Sequence, residues 1–226
     1  MLLELATFNI ESVHIAVKAG VDRLELCEDY SIGGITPSLS FFNEARKLFH
    51  NDIFVMIRPR PRSFVYSDDE FERMLQNVEK FIELGADGFV SGFMSEDQTI
   101  NKKQLGQFLN VCQPLPFTFH RAFDQILDWK LGLDILLKYG CARVLTSGDG
   151  RTADEGRNRI VQMMEYVKGE ITILPGGGIR SGNLQTILKL CSPTEIHTAG
   201  ILEENLRNGK FVVDEDELLK ILAMIN

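Results

Sequence analysis

Short apolar runs alternate with stretches of helical spacing along the whole chain, and each run ends in a polar or glycine-rich break. Eight strands are predicted: Leu2–Ala6, Arg23–Cys27, Ile53–Ile57, Gly88–Val90, Phe117–Phe119, Arg143–Leu145, Ile171–Leu174 and Glu195–His197. Between them the apolar positions return every three or four residues, which predicts helices. These cover Ile10–Ala19, Ser38 to about His50, Ser67–Leu84, Lys102–Val111, Asp128–Tyr139, Ala153–Lys168 and Ser181–Leu190, with a last helix over Asp214–Ile225. Ser67 with Glu70 three positions later has the spacing of a capping box.

Three helix exits share one grammar of glycine, small turn and strand: Ala19-Gly20-Val21-Asp22, Leu84-Gly85-Ala86-Asp87 and Tyr139-Gly140-Cys141-Ala142. Strands separated by single helices are the βαβ signature, whose crossovers are right-handed. Eight such units predict one TIM (β/α)8 barrel over residues 1–226. An open doubly wound sheet is the alternative.

A parallel barrel gathers its strand exits at one mouth, so the breaks decide the chemistry. Side chains alternate along a strand. If the bulky apolar residues face the helices, then Glu4, Glu25, Cys27, Arg58, Thr118 and His120 face the barrel interior. Glu25, His120 and Arg58 are the candidate catalytic residues, with Asp124 as an orienting partner for His120 or as a turn cap. Arg58-Pro59-Arg60 is a stiff pair of guanidinium groups suited to a carboxylate or phosphate. The bland reading pairs Arg58 and Arg60 with Glu4 and Glu25 as buried structural ions. Gly176, Gly177 and Gly178 after the seventh strand, with Ser147 and Gly148 after the sixth, form a small-residue rim. Backbone N–H groups there can approach an anion, as in a phosphate-binding loop.

The 226 residues carry a net charge of −8, which argues against nucleic acid as a partner. No apolar run reaches the length that spans a bilayer, and the N-terminus reads as a strand, so neither a membrane nor a secretory signal is expected. Four cysteines without a CxxC pair read as free thiols of a cytoplasmic protein.

As an ordered set, several segments resemble the CutC copper-homeostasis family. They are Asp22–Cys27, Gly33–Ser38, Met56–Arg60, Phe64–Asp68, Thr118–Asp124, Leu145–Gly148, Ile173–Gly178 and Glu195–His197. The resemblance implies a cytoplasmic TIM barrel that self-associates as a homo-oligomer, with Cu(I) as the proposed ligand. Two departures stand out. The family's Glu-Val-Cys in the first strand is Glu4-Leu5-Ala6 here, and Thr198-Ala199 stands where Gly-Ser is common. Cu(I) favours thiolate and thioether ligands. The mouth offers Cys27 with Met56 on the next strand, while Cys112, Cys141 and Cys191 precede strands and fall at the opposite end. Two readings follow: a copper-homeostasis protein with weak Cu(I) binding at Cys27, or an isomerase or lyase acting on a small anionic or phosphorylated metabolite.

Overall fold

Eight parallel strands run side by side in the order β7-β6-β5-β4-β3-β2-β1-β8, in a computed structural model that describes residues 1–207, 209 and 211–226. The strands are β1 (Leu2–Thr7), β2 (Arg23–Leu26), β3 (Asp52–Met56), β4 (Gly88–Ser91), β5 (Phe117–Phe119), β6 (Arg143–Thr146), β7 (Thr172–Pro175) and β8 (Glu195–Thr198). The β1–β8 ladder brings the first strand onto the last, which curls the sheet into a nearly closed TIM barrel. Among the described residues no ladder joins β7 to β8. There Gly176 packs against the His197 side chain instead.

The helices are α1 (Ile10–Ala19), α2 (Leu39–Leu48), α3 (Asp68–Glu83), α4 (Lys102–Cys112), α5 (Trp129–Lys138), α6 (Arg157–Val167), α7 (Ser181–Cys191), α8 (Glu203–Arg207) and α9 (Glu215–Ile225). The Ser67–Glu70 capping box forms: the Ser67 hydroxyl accepts from the Glu70 amide, and the Glu70 carboxylate accepts from the Ser67 amide. The helix predicted from Ala153 starts only at Arg157. Residues 152–156 form a turn instead, because the Ala153 amide donates to Gly177 O and ties this segment to the β7 exit. The short α8 was not anticipated from the pattern.

Strand alternation sorts the interior into two layers. Leu3, Leu5, Leu24, Leu26, Ile53, Val55, Phe89, Phe117, Val144 and Ile196 face outward into one large apolar core shared with the helices. Each such side chain, fully buried, contributes about 1.5–3 kcal/mol. Inside the barrel a small separate cluster forms from Cys27, Phe54, Met56 and Val90.

The floor of the barrel is ionic. Arg23 is fully buried; its Nε donates to Glu4 at 2.6 Å and its Nη2 reaches Glu195. Glu195 also accepts from Arg143 Nε at 2.9 Å. Arg23 and Arg143 both lie over the Phe54 ring, with centroid distances of 4.8 and 5.0 Å. This corrects the pairing of Glu4 with Arg58 or Arg60. Glu4 and Arg23 are direct neighbours in the β1–β2 register, whereas Arg58 stands past the end of β3 at the mouth.

Candidate functional site

At the C-terminal end of the strands the barrel opens into a cavity of about 470 Å³. Its walls include Glu25, Cys27, Met56, Arg58, His120 and His197, together with Arg121, Arg180, Gly177 and Gly178. These residues, from five different strands or their exits, therefore meet at one place, as a barrel mouth requires.

One wall is an acid–base chain built by β1, β2 and β8. His197 lies beside Glu4 in the β1–β8 register, and its Nδ1 stands 2.7 Å from Glu4 Oε1. Burial raises the Glu4 carboxyl, but the hydrogen bond and charge of His197 and the charge of Arg23 outweigh it and hold the pKa near 2. Glu4 is thus an acceptor only, so Nδ1 carries the proton and Nε2 faces the cavity side. From there Nε2 lies 3.8 Å from Glu25 Oε2. Burial lowers the His197 pKa, yet the flanking carboxylates of Glu25 and Glu4 prevail and raise it. Glu25 moves up as well, because burial outweighs its attraction to His197 and the Glu4 charge adds repulsion. The Cys27 thiol donates to Glu25 Oε2 at 3.4 Å. Glu25 Oε1 is buried without a hydrogen-bond partner among the described residues.

The rim formed by the β3 and β5 exits holds Arg58 and His120 against one ring, Phe64. The Arg58 guanidinium lies 4.8 Å and the His120 ring 4.7 Å from it. Arg58 Nη1 donates to Gly33 O and Gly34 O, and no carboxylate lies within ion-pair distance of it among the described residues. Burial lowers its pKa. Burial, reinforced by the Arg58 charge, also drives His120 down to about 3, so its imidazole is neutral. Its Nδ1 accepts from the Ala122 amide at 3.2 Å, which places the proton on Nε2. Arg58 Nε and His120 Nε2 are both buried without a hydrogen-bond partner among the described residues. Gly92 makes this ring position possible: a Cβ there would stand 2.6 Å from the His120 ring.

The third part lies at the exits of β5, β6 and β7. Arg121 stretches across to Gly177, where a Cβ would meet its Nη1 at 2.9 Å. Its Nε pairs with Asp124 at 2.8 Å and its Nη2 donates to the Ser147 hydroxyl at 2.8 Å. Asp124 also accepts from Thr146 and from the Ser147 amide, so it braces the β6 exit and does not orient His120. Arg180 donates to Ile179 O, Thr198 Oγ1 and Ile201 O from the start of α7. The amide and hydroxyl of Ser181 are both taken by Glu217 of α9, at 2.6 and 2.8 Å. The N-terminus of α7 therefore already carries a carboxylate cap.

Of the residues singled out in the sequence, Glu25, Cys27, Arg58, His120, Gly177 and Gly178 line the cavity. Arg60 does not. It turns outward and forms a two-pronged pair with Glu70, at 2.5 and 3.0 Å. Ser147, Gly148 and Gly176 are buried behind the lining, where they support the β6 and β7 exits. His197, Arg121 and Arg180 were not among the predicted site residues. His197 had a legible signal, as it alternates with outward Ile196 at a strand exit. Nothing in strand alternation announces where the long chains of Arg121 and Arg180 reach.

The donor atoms do not suit a tight Cu(I) site. Cys27 is held as a neutral thiol by burial and by the neighbouring Glu25 charge, which push its pKa well up. Ala6 supplies no second sulfur on the cavity wall. Glu4, Glu25 and His197 offer ligand atoms within 4.8 Å of one another, but these are oxygen and nitrogen donors, and Glu4 is already engaged by Arg23 and His197.

The sequence and fold have clear relatives. The CutC family model matches residues 1–202. A copper homeostasis protein cutC homolog of Homo sapiens is 43% identical over 196 residues, 87% of this chain and 72% of that protein. A family protein CutC of Treponema denticola is 40% identical over 199 residues, 88% of this chain and 81% of that protein. A crystal structure of a CutC protein from Streptococcus agalactiae superposes with a TM-score of 0.84 at 32% identity, covering 88% of this chain and 98% of that one.

Proposed function

This chain belongs to the CutC family, and from that premise we propose that its barrel mouth is the active site of an enzyme for a small anionic metabolite, an isomerase or lyase working by proton transfer. The observation that carries the reading is the convergence of Arg58, Arg121 and Arg180 on the same cavity as the Glu25–His197 pair. A cationic ligand is repelled by three guanidinium groups, whereas an anion is attracted to them and can engage them through charge-assisted hydrogen bonds.

In this reading Glu25 and His197 exchange the proton. Burial keeps a proton on Glu25 to higher pH than an ordinary carboxyl holds one, and the carboxylate neighbours of His197 do the same for the imidazole. Glu4 positions His197 by accepting from Nδ1, leaving Nε2 for the reaction. Neutral His120 serves as a hydrogen-bond donor, and Arg58 anchors the anion.

The copper reading has one structural support, Cys27 and Met56 on the same cavity wall, and it accords with the copper homeostasis name of the human relative. Two measurements separate the readings. Under anaerobic competition with a chelator, Cu(I) is expected to bind no better than to a generic surface thiol, and Cys27→Ala to change little. Small phosphorylated and carboxylated metabolites screened in D2O are expected to show solvent-deuterium incorporation that Glu25→Gln and His197→Asn abolish. Tight Cu(I) binding lost in Cys27→Ala, with no exchange into any anion, would reverse the assignment.

A further inference from the structure

The cationic groups of the cavity do not form one cluster. Arg58 stands at the exit of β3, while Gly177, Gly178 and Arg180 stand at the exit of β7, four strands away around an eight-stranded barrel. Arg121 leaves the β5 exit and lays its guanidinium over Gly177, so it belongs to the β7 side. The Glu25–His197 pair sits on β2 and β8, along the wall between the two poles.

The poles differ in what they offer. At the β3 and β5 exits, Arg58 Nε and His120 Nε2 are N–H donors with no partner among the described residues, on side chains 7% and 4% exposed, and both pack on Phe64. Two N–H donors on side chains that share one flat apolar backing suit the two oxygens of a carboxylate. At β7, the Arg121 and Arg180 guanidinium groups and the Gly177–Gly178 backbone line the cavity together. Asp124 neutralises part of Arg121, and Glu203 and Glu217 act on Arg180 from nearby. This side suits the larger charge and three oxygens of a phosphate.

Resting on the enzyme reading above, we propose that the substrate is a doubly anionic molecule, a phosphorylated carboxylic acid, with its carboxylate on Arg58 and His120 and its phosphate on Arg121, Arg180 and the Gly177–Gly178 backbone. The carbon skeleton then spans the cavity and passes Glu25 and His197, where a proton on a central carbon or oxygen is removed or delivered.

Two probes of the same skeleton test this by calorimetry. Glycerol 3-phosphate carries the phosphate alone, and 3-phosphoglycerate adds the carboxylate. The full-length protein is expected to bind 3-phosphoglycerate at least about tenfold more tightly, the worth of one charge-assisted pair. Arg58→Gln is expected to erase that advantage while leaving glycerol 3-phosphate binding unchanged, which also reports that the variant is folded. Arg121→Gln is expected to weaken both probes. If the two probes bind wild type equally, or Arg58→Gln weakens both alike while its melting transition stays intact, the two-pole assignment is wrong and the anion site stands. If neither these probes nor inorganic phosphate binds, the anion site itself is wrong and the two-pole assignment falls with it.

Discussion

The placement of single atoms decides which of the two cavity histidines can move a proton. His197 has carboxylates on both sides, so it holds a proton readily, as the proposed proton transfer needs. His120 sits beside a guanidinium and keeps its neutral form down to about pH 3. Sequence alone singled out His120 and assigned His197 no role. The His120 position rests on a missing side chain at Gly92, where a methyl group would come within 2.6 Å of the ring and 2.9 Å of Ala122 Cβ. Both neighbours are buried, so neither can swing into solvent. Gly92→Ala is expected to lower stability by about 1–3 kcal/mol, the usual cost of overpacking. It should also rotate His120 off the Ala122 amide, and 3-phosphoglycerate binding should fall with it. Urea unfolding together with calorimetry checks this. Unchanged stability and unchanged binding would mean that the Phe64 platform yields freely and does not fix the donor.

Individual strands show how far the sequence is readable. Period-two alternation placed Glu4, Glu25 and Cys27 inward, and the structure puts them there because Leu3, Leu5, Leu24 and Leu26 fill the helix-facing layer. The same rule puts Arg23 on the Glu25 face, where it holds the barrel floor. Pairing failed for a different reason. Which acid meets which base depends on strand register, and the β1–β2 stagger that sets Glu4 opposite Arg23 is not written in either strand alone. Arg60 illustrates the limit at loops, since it leaves the mouth to meet Glu70 of the α3 cap. The floor ionic group gives a direct test. Removing one member of a buried pair costs about 3–5 kcal/mol because a charge is stranded. Arg23→Met is expected to fall in that range, and adding Glu4→Gln to recover part of the loss by removing the stranded carboxylate. Urea unfolding midpoints of the single and double variants read it. A neutral single substitution would show that His197 alone supports Glu4.

Across the whole barrel, the floor and the mouth act on stability with opposite signs. Glu4 titrates near 2 in the folded protein against an ordinary 4.5, so its ionised form favours folding. That contribution is complete above pH 4.5 and disappears as pH falls toward 2, and a shift of this size is worth about 3 kcal/mol. Glu25 is shifted up, so its protonated form favours folding, and that contribution fades as pH rises from 4.5 through its folded value. Wherever Glu25 is ionised in the folded protein, its charge is therefore a burden that burial imposes and His197 only partly relieves. His197, also shifted up, stabilises fully below 6.5 and less as pH climbs past its raised value. A carboxylate kept in the barrel at a net cost is what a catalytic acid or base looks like, since residues selected for reactivity commonly sit where they lower stability. Glu25→Gln removes the cost without changing the shape. It is expected to raise the thermal midpoint at pH 7.5, with the gain shrinking steadily toward pH 4.5. Glu4→Gln, one strand away, is expected to lower the midpoint at pH 7.5, and its deficit should shrink only below pH 4.5. Calorimetric scans of the three proteins from pH 3 to pH 8 give both differences. Two variants that shift the midpoint in the same direction at pH 7.5 would mean that Glu25 is as structural as Glu4, and the proton-transfer role would have to move elsewhere in the cavity.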